Sequence, residues 1–106
     1  MNAWTITRDC LAETITRDYV NDPAPQPGTN CNAIGIVGPS RSTLTAKQIA
    51  EHPDAKPFRM LDDDGILYYE GFLIGDECAP LDDFGEPNAG CTRIQIQENG
   101  AWTDVV

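Results

Sequence analysis

Two short turn signals, Asp64-Gly65 and Asn99-Gly100, constrain the fold of this chain more than any other feature. Glycine adopts positive φ without steric cost, and Asp and Asn tolerate it, so these pairs favour tight turns between β-strands. The second half of the chain is therefore expected to form two antiparallel hairpins. The strands that the turns join are predicted at 57–61 with 66–74 and at 92–97 with 101–105. Gly71 interrupts the 66–74 strand and is a candidate β-bulge.

The second hairpin can close in two registers. A two-residue Asn-Gly loop pairs Glu98 with Ala101 and puts Trp102 opposite Gln97 on the polar face. A three-residue loop pairs Ile96 with Trp102 and buries the indole. Because burial of a Trp contributes several kcal/mol at ~25 cal/mol per Å², the sequence favours the three-residue loop. In the other register Trp102 is exposed and becomes a candidate binding residue.

The first half of the chain carries weaker signals. Alternation of apolar and polar residues, with many β-branched side chains, predicts a strand at 3–8. Asp9 is a plausible N-cap, and four-residue apolar spacing after it favours a helix over 10–20, with a second strand as the alternative. Three prolines make 21–31 an irregular connection, and 33–37 is predicted as a short strand.

A second helix is predicted at 45–52, before Pro53. Thr45 and Gln48 have the spacing of a capping box. His52 lies where a cation would meet the carbonyl end of that helix, so a capping role is favoured over a catalytic one.

These elements predict one domain over 1–106 with an α+β fold. We expect a mostly antiparallel sheet of about five strands with one or two short helices covering a face, and a partly closed β-barrel is the alternative. The predicted core consists of Trp4, Ile6, Ile34, Ile36, Ile49, Phe58, Met60, Leu67, Tyr69, Ile94 and Ile96.

Charge is distributed unevenly along the chain. Residues 60–92 hold nine of the 17 acids and no Lys or Arg, so this stretch supplies −9 of the formal net charge of −10. Such a segment favours a basic partner or a cation and argues against direct binding to nucleic acid. The longest apolar run, 72–74, is too short to span a membrane, and the N-terminus does not resemble a secretory signal. The sequence therefore predicts a cytoplasmic protein, and it leaves the oligomeric state open.

The acids do not match a known metal or catalytic motif. The Asp62-Asp-Asp-Gly turn fails the EF-hand pattern, because Met60 stands where a ligand is needed before it and Gly71 where a Glu is needed after it. No cofactor, metal ligand or catalytic residue is predicted, since acids in turns keep ordinary pKa values, so an enzyme is not expected. A small calcium- or magnesium-binding protein is the alternative function.

The four cysteines leave three interpretations open. Cys10, Cys31, Cys78 and Cys91 have no C-x-x-C spacing. Free thiols are favoured in a reducing compartment. A Cys78–Cys91 disulfide and a four-thiolate zinc site are the alternatives.

The favoured hypothesis is a non-enzymatic protein that presents its acids to a basic protein surface. A nine-residue strand is roughly 30 Å long at ~3.3 Å per residue, so the 62–65 turn and the 76–90 loop are expected at opposite ends of it. Phe84 and Tyr68 are expected to be exposed aromatic anchors. The alternative is that the charge only maintains solubility. The predicted partner-binding residues are Asp62, Asp63, Asp64, Glu70, Asp76, Glu77, Asp82, Asp83, Phe84 and Glu86.

Two segments resemble a known group of proteins. FRMLDDDGILYYEG at 58–71 and PLDDFGEPNAGCT at 80–92 are similar to a group of short, acidic bacterial and phage-associated proteins, and the start of the chain is similar more loosely. The group has no assigned activity, so the resemblance implies a compact single domain. A setting in mobile elements suits a nucleic-acid mimic that inhibits a host defence complex, such as a restriction or CRISPR complex.

Overall fold

The computed structural model describes residues 2–11, 33–39 and 43–105, which form one open antiparallel sheet. Its strand order is β2-β1-β4-β3-β5-β6. The α+β prediction is confirmed with six strands instead of about five. The partly closed barrel is wrong, because β2 and β6 lie at opposite edges of the sheet. The strands are β1 (Ala3–Asp9), β2 (Val37–Gly38), β3 (Lys56–Leu61), β4 (Leu67–Ile74), β5 (Arg93–Glu98) and β6 (Ala101–Asp104).

Helix α1 spans Ala46–Ala50, within the predicted range, and begins with the predicted capping box. The Gln48 N–H donates to Thr45 Oγ1 at 3.1 Å, and the Thr45 N–H donates to Gln48 Oε1 at 2.8 Å. His52 contacts the end of the helix through its backbone, since its N–H donates to the Ile49 carbonyl at 3.2 Å. Its imidazole bonds the residues that follow. Its Nδ1 accepts a hydrogen bond from the Asp54 N–H at 3.0 Å, which requires a lone pair on that nitrogen and fixes the turn after the helix.

The β3–β4 hairpin is confirmed, but Gly71 is not itself a bulge. The β1–β4 register shifts between Ile6 and Arg8, so the extra residue is Thr7 on the neighbouring strand. Gly71 is required for a different reason, since a Cβ there would overlap the Thr5 carbonyl oxygen and lie 2.9 Å from the Phe58 ring. The close approach of β1 to β4 therefore depends on a residue without a side chain.

The predicted register of the β5–β6 hairpin is wrong. Gln97 pairs with Trp102, and the loop has two residues, Asn99 at φ 52° and Gly100 at φ 81°. Positive φ at both loop residues gives a twist that matches the flanking strands. The indole therefore lies on the face of the sheet opposite the main core, where the Arg59 guanidinium is 4.4 Å from its ring centroid.

The chain before α1 differs from two further predictions. The strand predicted at 33–37 is limited to Val37–Gly38, because Gly35 at φ 96° makes a turn. Asp9 ends β1, where its two carboxylate oxygens accept from the backbone N–H groups of Leu11 and Ala33, both at 2.9 Å. Two predictions lie outside the described residues. They are the helix at 10–20, of which only residues 10 and 11 are described, and the irregular connection at 21–31.

The main core lies on one face of the sheet. Nine of the eleven predicted core residues are buried, whereas Ile34 and Leu67 are only half-buried. The prediction omitted Leu73, Phe84 and Cys91, which belong to the same cluster. A smaller cluster on the other face packs Ile49 of α1 against Ala3 and Ile74.

Residues 75–92 connect β4 to β5 and are called the crossover below. Both strands are antiparallel to β3, so they run in the same direction and their connection must traverse the length of the sheet. A π-helical turn, Leu81–Gly85, continues into helix α2, Glu86–Ala89. The Glu86 N–H donates to the Leu81 carbonyl, five residues earlier, which is the π-helical spacing. The next residue, Pro87, has no N–H to donate to the Asp83 carbonyl.

Among the described residues, no helix is both long enough and apolar enough to cross a membrane.

Candidate interaction surface

Eight of the nine acids of the 60–92 stretch lie on the crossover or on the 62–65 turn. The two were expected at opposite ends of β4, but the crossover returns along the sheet and meets the turn. The Thr92 hydroxyl donates to Asp63 Oδ1 at 2.6 Å, and the Thr92 N–H donates to the Leu61 carbonyl at 3.0 Å. The acids are therefore linked along one side of the sheet, and we call these eight residues the acidic surface.

Glu70 is separated from the acidic surface. It alternates with Tyr69 along β4, so it projects from the opposite side of the sheet, where its Oε2 lies 3.4 Å from Arg8 Nη1. Its inclusion among residues that bind one partner is not supported by this placement.

Several carboxylates hold the local backbone in place. Asp62 Oδ1 accepts from the N–H groups of Asp64 and Ile66, both at 2.9 Å. Asp76 Oδ1 accepts from the Cys78 N–H, also at 2.9 Å. Such short-range bonds are typical of Asp in turns and explain part of the acid content without a partner.

Counter-ions from the chain are few. Lys56 Nζ lies 3.0 Å from Glu98 Oε1 and 3.5 Å from Glu77 Oε2. Its hydrogen bond to Glu98, with the charge of Glu77, raises the pKa of Lys56. Within the described ranges, Glu77 is the only member of the acidic surface with a Lys or Arg nitrogen inside 4.0 Å. Six of the eight are exposed, namely Asp63, Asp64, Asp76, Asp82, Asp83 and Glu86.

The prediction that Phe84 is an exposed anchor is wrong. Its side chain is 6% exposed, and its ring centroid lies 5.8 Å from that of Trp4 and 5.2 Å from that of Tyr69. Phe84 attaches the crossover to the sheet. Tyr68 is half-buried, and desolvation followed by its hydrogen bond to Asp62 raises its pKa. Both rings were expected to be exposed anchors, and neither is.

Cys78 and Cys91 carry free thiols, as the favoured interpretation expected, and the alternative disulfide between them is absent. Cys91 is fully buried, and burial raises its pKa to about 11. Burial first, and then the nearby carboxylates of Asp76 and Asp82, raise the pKa of the Cys78 thiol. Neither thiol is activated as a nucleophile.

No group of three His, Cys, Asp or Glu side chains in the described part of the chain is placed to hold a metal ion. The divalent-cation hypothesis stays a prediction. Melting curves with and without millimolar calcium or magnesium test it, since a cation bound by the native state raises the midpoint.

The face of β3, β5 and β6 opposite the crossover carries a second polar cluster that sequence reasoning missed. Arg59 Nε donates to Gln95 Oε1 at 2.7 Å, and Gln95 Nε2 donates to Asp104 Oδ1 at 2.9 Å. The Gln95 hydrogen bond and then Arg93 lower the pKa of Asp104. Trp102, half-buried, stacks on Arg59 and completes the cluster. The charged groups of this cluster have partners of opposite charge within it, whereas most carboxylates of the acidic surface have no Lys or Arg nitrogen nearby in the described residues.

A pocket of about 280 Å³ opens beside the acidic surface. The Trp4 Nε1–H donates to Asp83 Oδ2 at 3.0 Å, which puts a carboxylate against an aromatic wall. In the sequence, only the predicted core position of Trp4 gave any indication of the contact between Trp4 and Asp83. The pocket is lined by Trp4, Ile36, Val37, Gly38, Pro39, Asp83, Phe84 and Asn88.

Comparison with known proteins gives no match. No protein-family model, no curated protein and no solved structure matches the chain.

Proposed function

We propose that this protein is a non-enzymatic interaction protein that presents its acidic surface to a basic protein in the cytoplasm. The observation that carries the proposal is the scarcity of internal counter-ions. Seven of the eight carboxylates have no Lys or Arg nitrogen within 4.0 Å in the described residues, and six are exposed. Charges gathered in this way repel each other in the free protein, and a basic partner relieves that repulsion.

The density of charge suits a nucleic-acid mimic. The longest principal axis of the fold is 31 Å, which is the length available to the acidic surface. One strand of duplex DNA places a phosphate every ~3.4 Å, so about nine phosphates occupy that length. The acidic surface carries eight carboxylates, which is close to the charge of one phosphate strand. A Lys- and Arg-lined groove shaped for nucleic acid is therefore the partner surface that we favour, and the groove of a host defence complex is the finer proposal.

Order along the acidic surface also supports this function. Both ends of the crossover are attached, since the Asp76 N–H donates to Asn2 Oδ1 at 3.1 Å and the Thr92 N–H donates to the Leu61 carbonyl. Phe84 fixes its middle to the core. A partner therefore meets carboxylates at set positions instead of on a flexible tail.

A pull-down from host lysate with matched charge variants tests the proposal. The test variant is Asp82→Asn with Glu86→Gln, two exposed acids of the crossover that make no side-chain hydrogen bond or ion pair within the described residues. The control is Glu51→Gln with Asp54→Asn, two exposed acids at the end of α1. Both variants change the net charge by the same amount.

The wild-type chain and the control should retain a basic protein that is released by about 0.5 M salt, because Debye screening shortens to a few Å at such ionic strength. The test variant should release it at lower salt. Duplex DNA added to the lysate should compete for the same protein if the surface mimics nucleic acid. Equal loss from both variants, or no selective retention, would leave solubility as the role of the charge.

A further inference from the structure

The pocket beside the acidic surface has an apolar wall and an anionic rim. Trp4 and Phe84 form its aromatic side, and Ile36 with Val37 form its aliphatic side. Gly38 lies directly against the Trp4 indole, because a Cβ there would overlap the ring. The aromatic side is therefore held in place by close packing.

Two acceptor atoms lie at the rim of this pocket. Asp83 uses Oδ2 to accept from Trp4 Nε1, and its Oδ1 makes no hydrogen bond within the described residues. Asn88 donates through Nδ2 to the Phe84 carbonyl at 3.0 Å, and its Oδ1 likewise makes no hydrogen bond there. A carboxylate oxygen and an amide oxygen on the same rim suit a cation that carries several N–H donors.

The size of the pocket restricts the occupant. Pockets for small molecules usually enclose ~300–1,000 Å³, and this one encloses about 280 Å³. A single long side chain fits better than a cofactor. Guanidinium is planar and offers five donors in a fixed fork that can reach two acceptors at once, whereas ammonium is a point charge with three, so the pocket favours Arg over Lys.

We propose that this pocket receives an arginine side chain of the basic partner, with Asp83 and Asn88 accepting from its guanidinium beside the Nε1 edge of the Trp4 indole. The inference rests on the proposed function and deepens it, because it assigns one specific contact within an otherwise diffuse electrostatic surface. Asp83 is then the anchor residue, and its neighbour Asp82 contributes charge alone.

Titration of the ¹⁵N-labelled full chain with Nα-acetyl-arginine amide, followed by NMR, tests the pocket without the partner. The Trp4 indole N–H and the Asn88 side-chain amide should shift and saturate together. Nα-acetyl-citrulline amide has the same shape and no charge, and it should bind at least about tenfold more weakly.

Two matched variants separate the pocket from general attraction. Asp83→Asn keeps an acceptor for the Trp4 indole and removes the charge, so it should weaken arginine binding about tenfold. Asp82→Asn removes the same charge outside the pocket and should change binding less than about twofold. Equal weakening by both variants, or no saturating shift at Trp4 and Asn88 in the wild-type chain, would overturn the inference.

The NMR outcome is independent of the pull-down. A saturating, Asp83-dependent shift supports the pocket even when no basic protein is retained from lysate, and the proposed partner alone then fails. The opposite result is a partner whose binding is weakened by Asp82→Asn with Glu86→Gln, while arginine induces no shift at Trp4. That result supports the proposed function and refutes the pocket.

Discussion

Replacement of Gly71 by Ala should destabilise the fold more than an ordinary strand substitution. A Cβ at this position would overlap the Thr5 carbonyl oxygen on β1 and lie 2.9 Å from the Phe58 ring on β3. A side chain can change rotamer, but the carbonyl belongs to the β1–β4 ladder and can move only if the strands separate. Overpacking of a core typically costs 1–3 kcal/mol, and a backbone clash belongs at the upper end of that range.

The unfolded state offsets part of this cost. Ala restricts the unfolded chain more than Gly does, which returns about 0.4–1 kcal/mol. The net loss in free energy of unfolding should be about 2 kcal/mol. For a chain of this size, each kcal/mol lowers the melting temperature by roughly 4–8 °C, so a decrease of roughly 8–16 °C is expected.

Urea unfolding followed by circular dichroism measures the loss, with the m-value confirming that the unfolding transition is unchanged. A Phe58→Leu substitution in both backgrounds identifies the source of the clash. Coupling between positions 71 and 58 should be small, since the Thr5 carbonyl and not the Phe58 ring opposes the new methyl group. A loss below about 0.5 kcal/mol for Gly71→Ala would show that β1 and β4 can separate easily, and the reasoning about their close approach would be wrong.

Three further predictions follow from the same structure. Burial raises the pKa of Tyr69 to about 12 and that of Cys91 to about 11, so both groups bind protons more tightly in the folded state. The free energy of unfolding should therefore fall as pH rises from the unfolded pKa values near 9–10 to these folded values. The urea midpoints at pH 8 and pH 11 should differ less in Tyr69→Phe than in the wild type. A double-mutant cycle on Arg59 and Trp102 should give a coupling of about 0.5–1 kcal/mol, as expected for a cation–π pair that is still partly in contact with water, and a value near zero would mean that the stack is incidental. Iodoacetamide at pH 7.5 should leave Cys91 unmodified in the folded protein while half-buried Cys78 reacts slowly, as peptide mapping would show, and rapid labelling of Cys91 would contradict its burial.

Local signals in the sequence were sufficient for the turns and for the start of α1. Asp64-Gly65 and the Thr45–Gln48 capping box act over four residues or fewer, so neighbouring residues alone determine them. The register of the last hairpin was not predictable in this way. The contact that stabilises Trp102 on the opposite face comes from Arg59, which is 43 residues earlier in the chain.

The acidic surface was predicted in composition but not in arrangement. Strand alternation already opposed Glu70 to Tyr69, so its separation was readable from the predicted strand. The return of the crossover to the 62–65 turn was not, because it depends on β5 pairing with β3. The burial of Phe84 likewise depends on which residues of a helical turn face the sheet, and Leu81 three residues earlier was the one available signal.

The hydrogen bonds that fix Asp62, Asp76 and Asp83 have a consequence for the affinity of the proposed complex. Each bond selects a rotamer before any encounter, at Asp64 N, Cys78 N and Trp4 Nε1 respectively. Ordering a mobile side chain on complex formation costs about 0.5–1.5 kcal/mol. These three carboxylates have already lost that freedom during folding, so in the proposed complex more of the electrostatic attraction would remain as binding free energy.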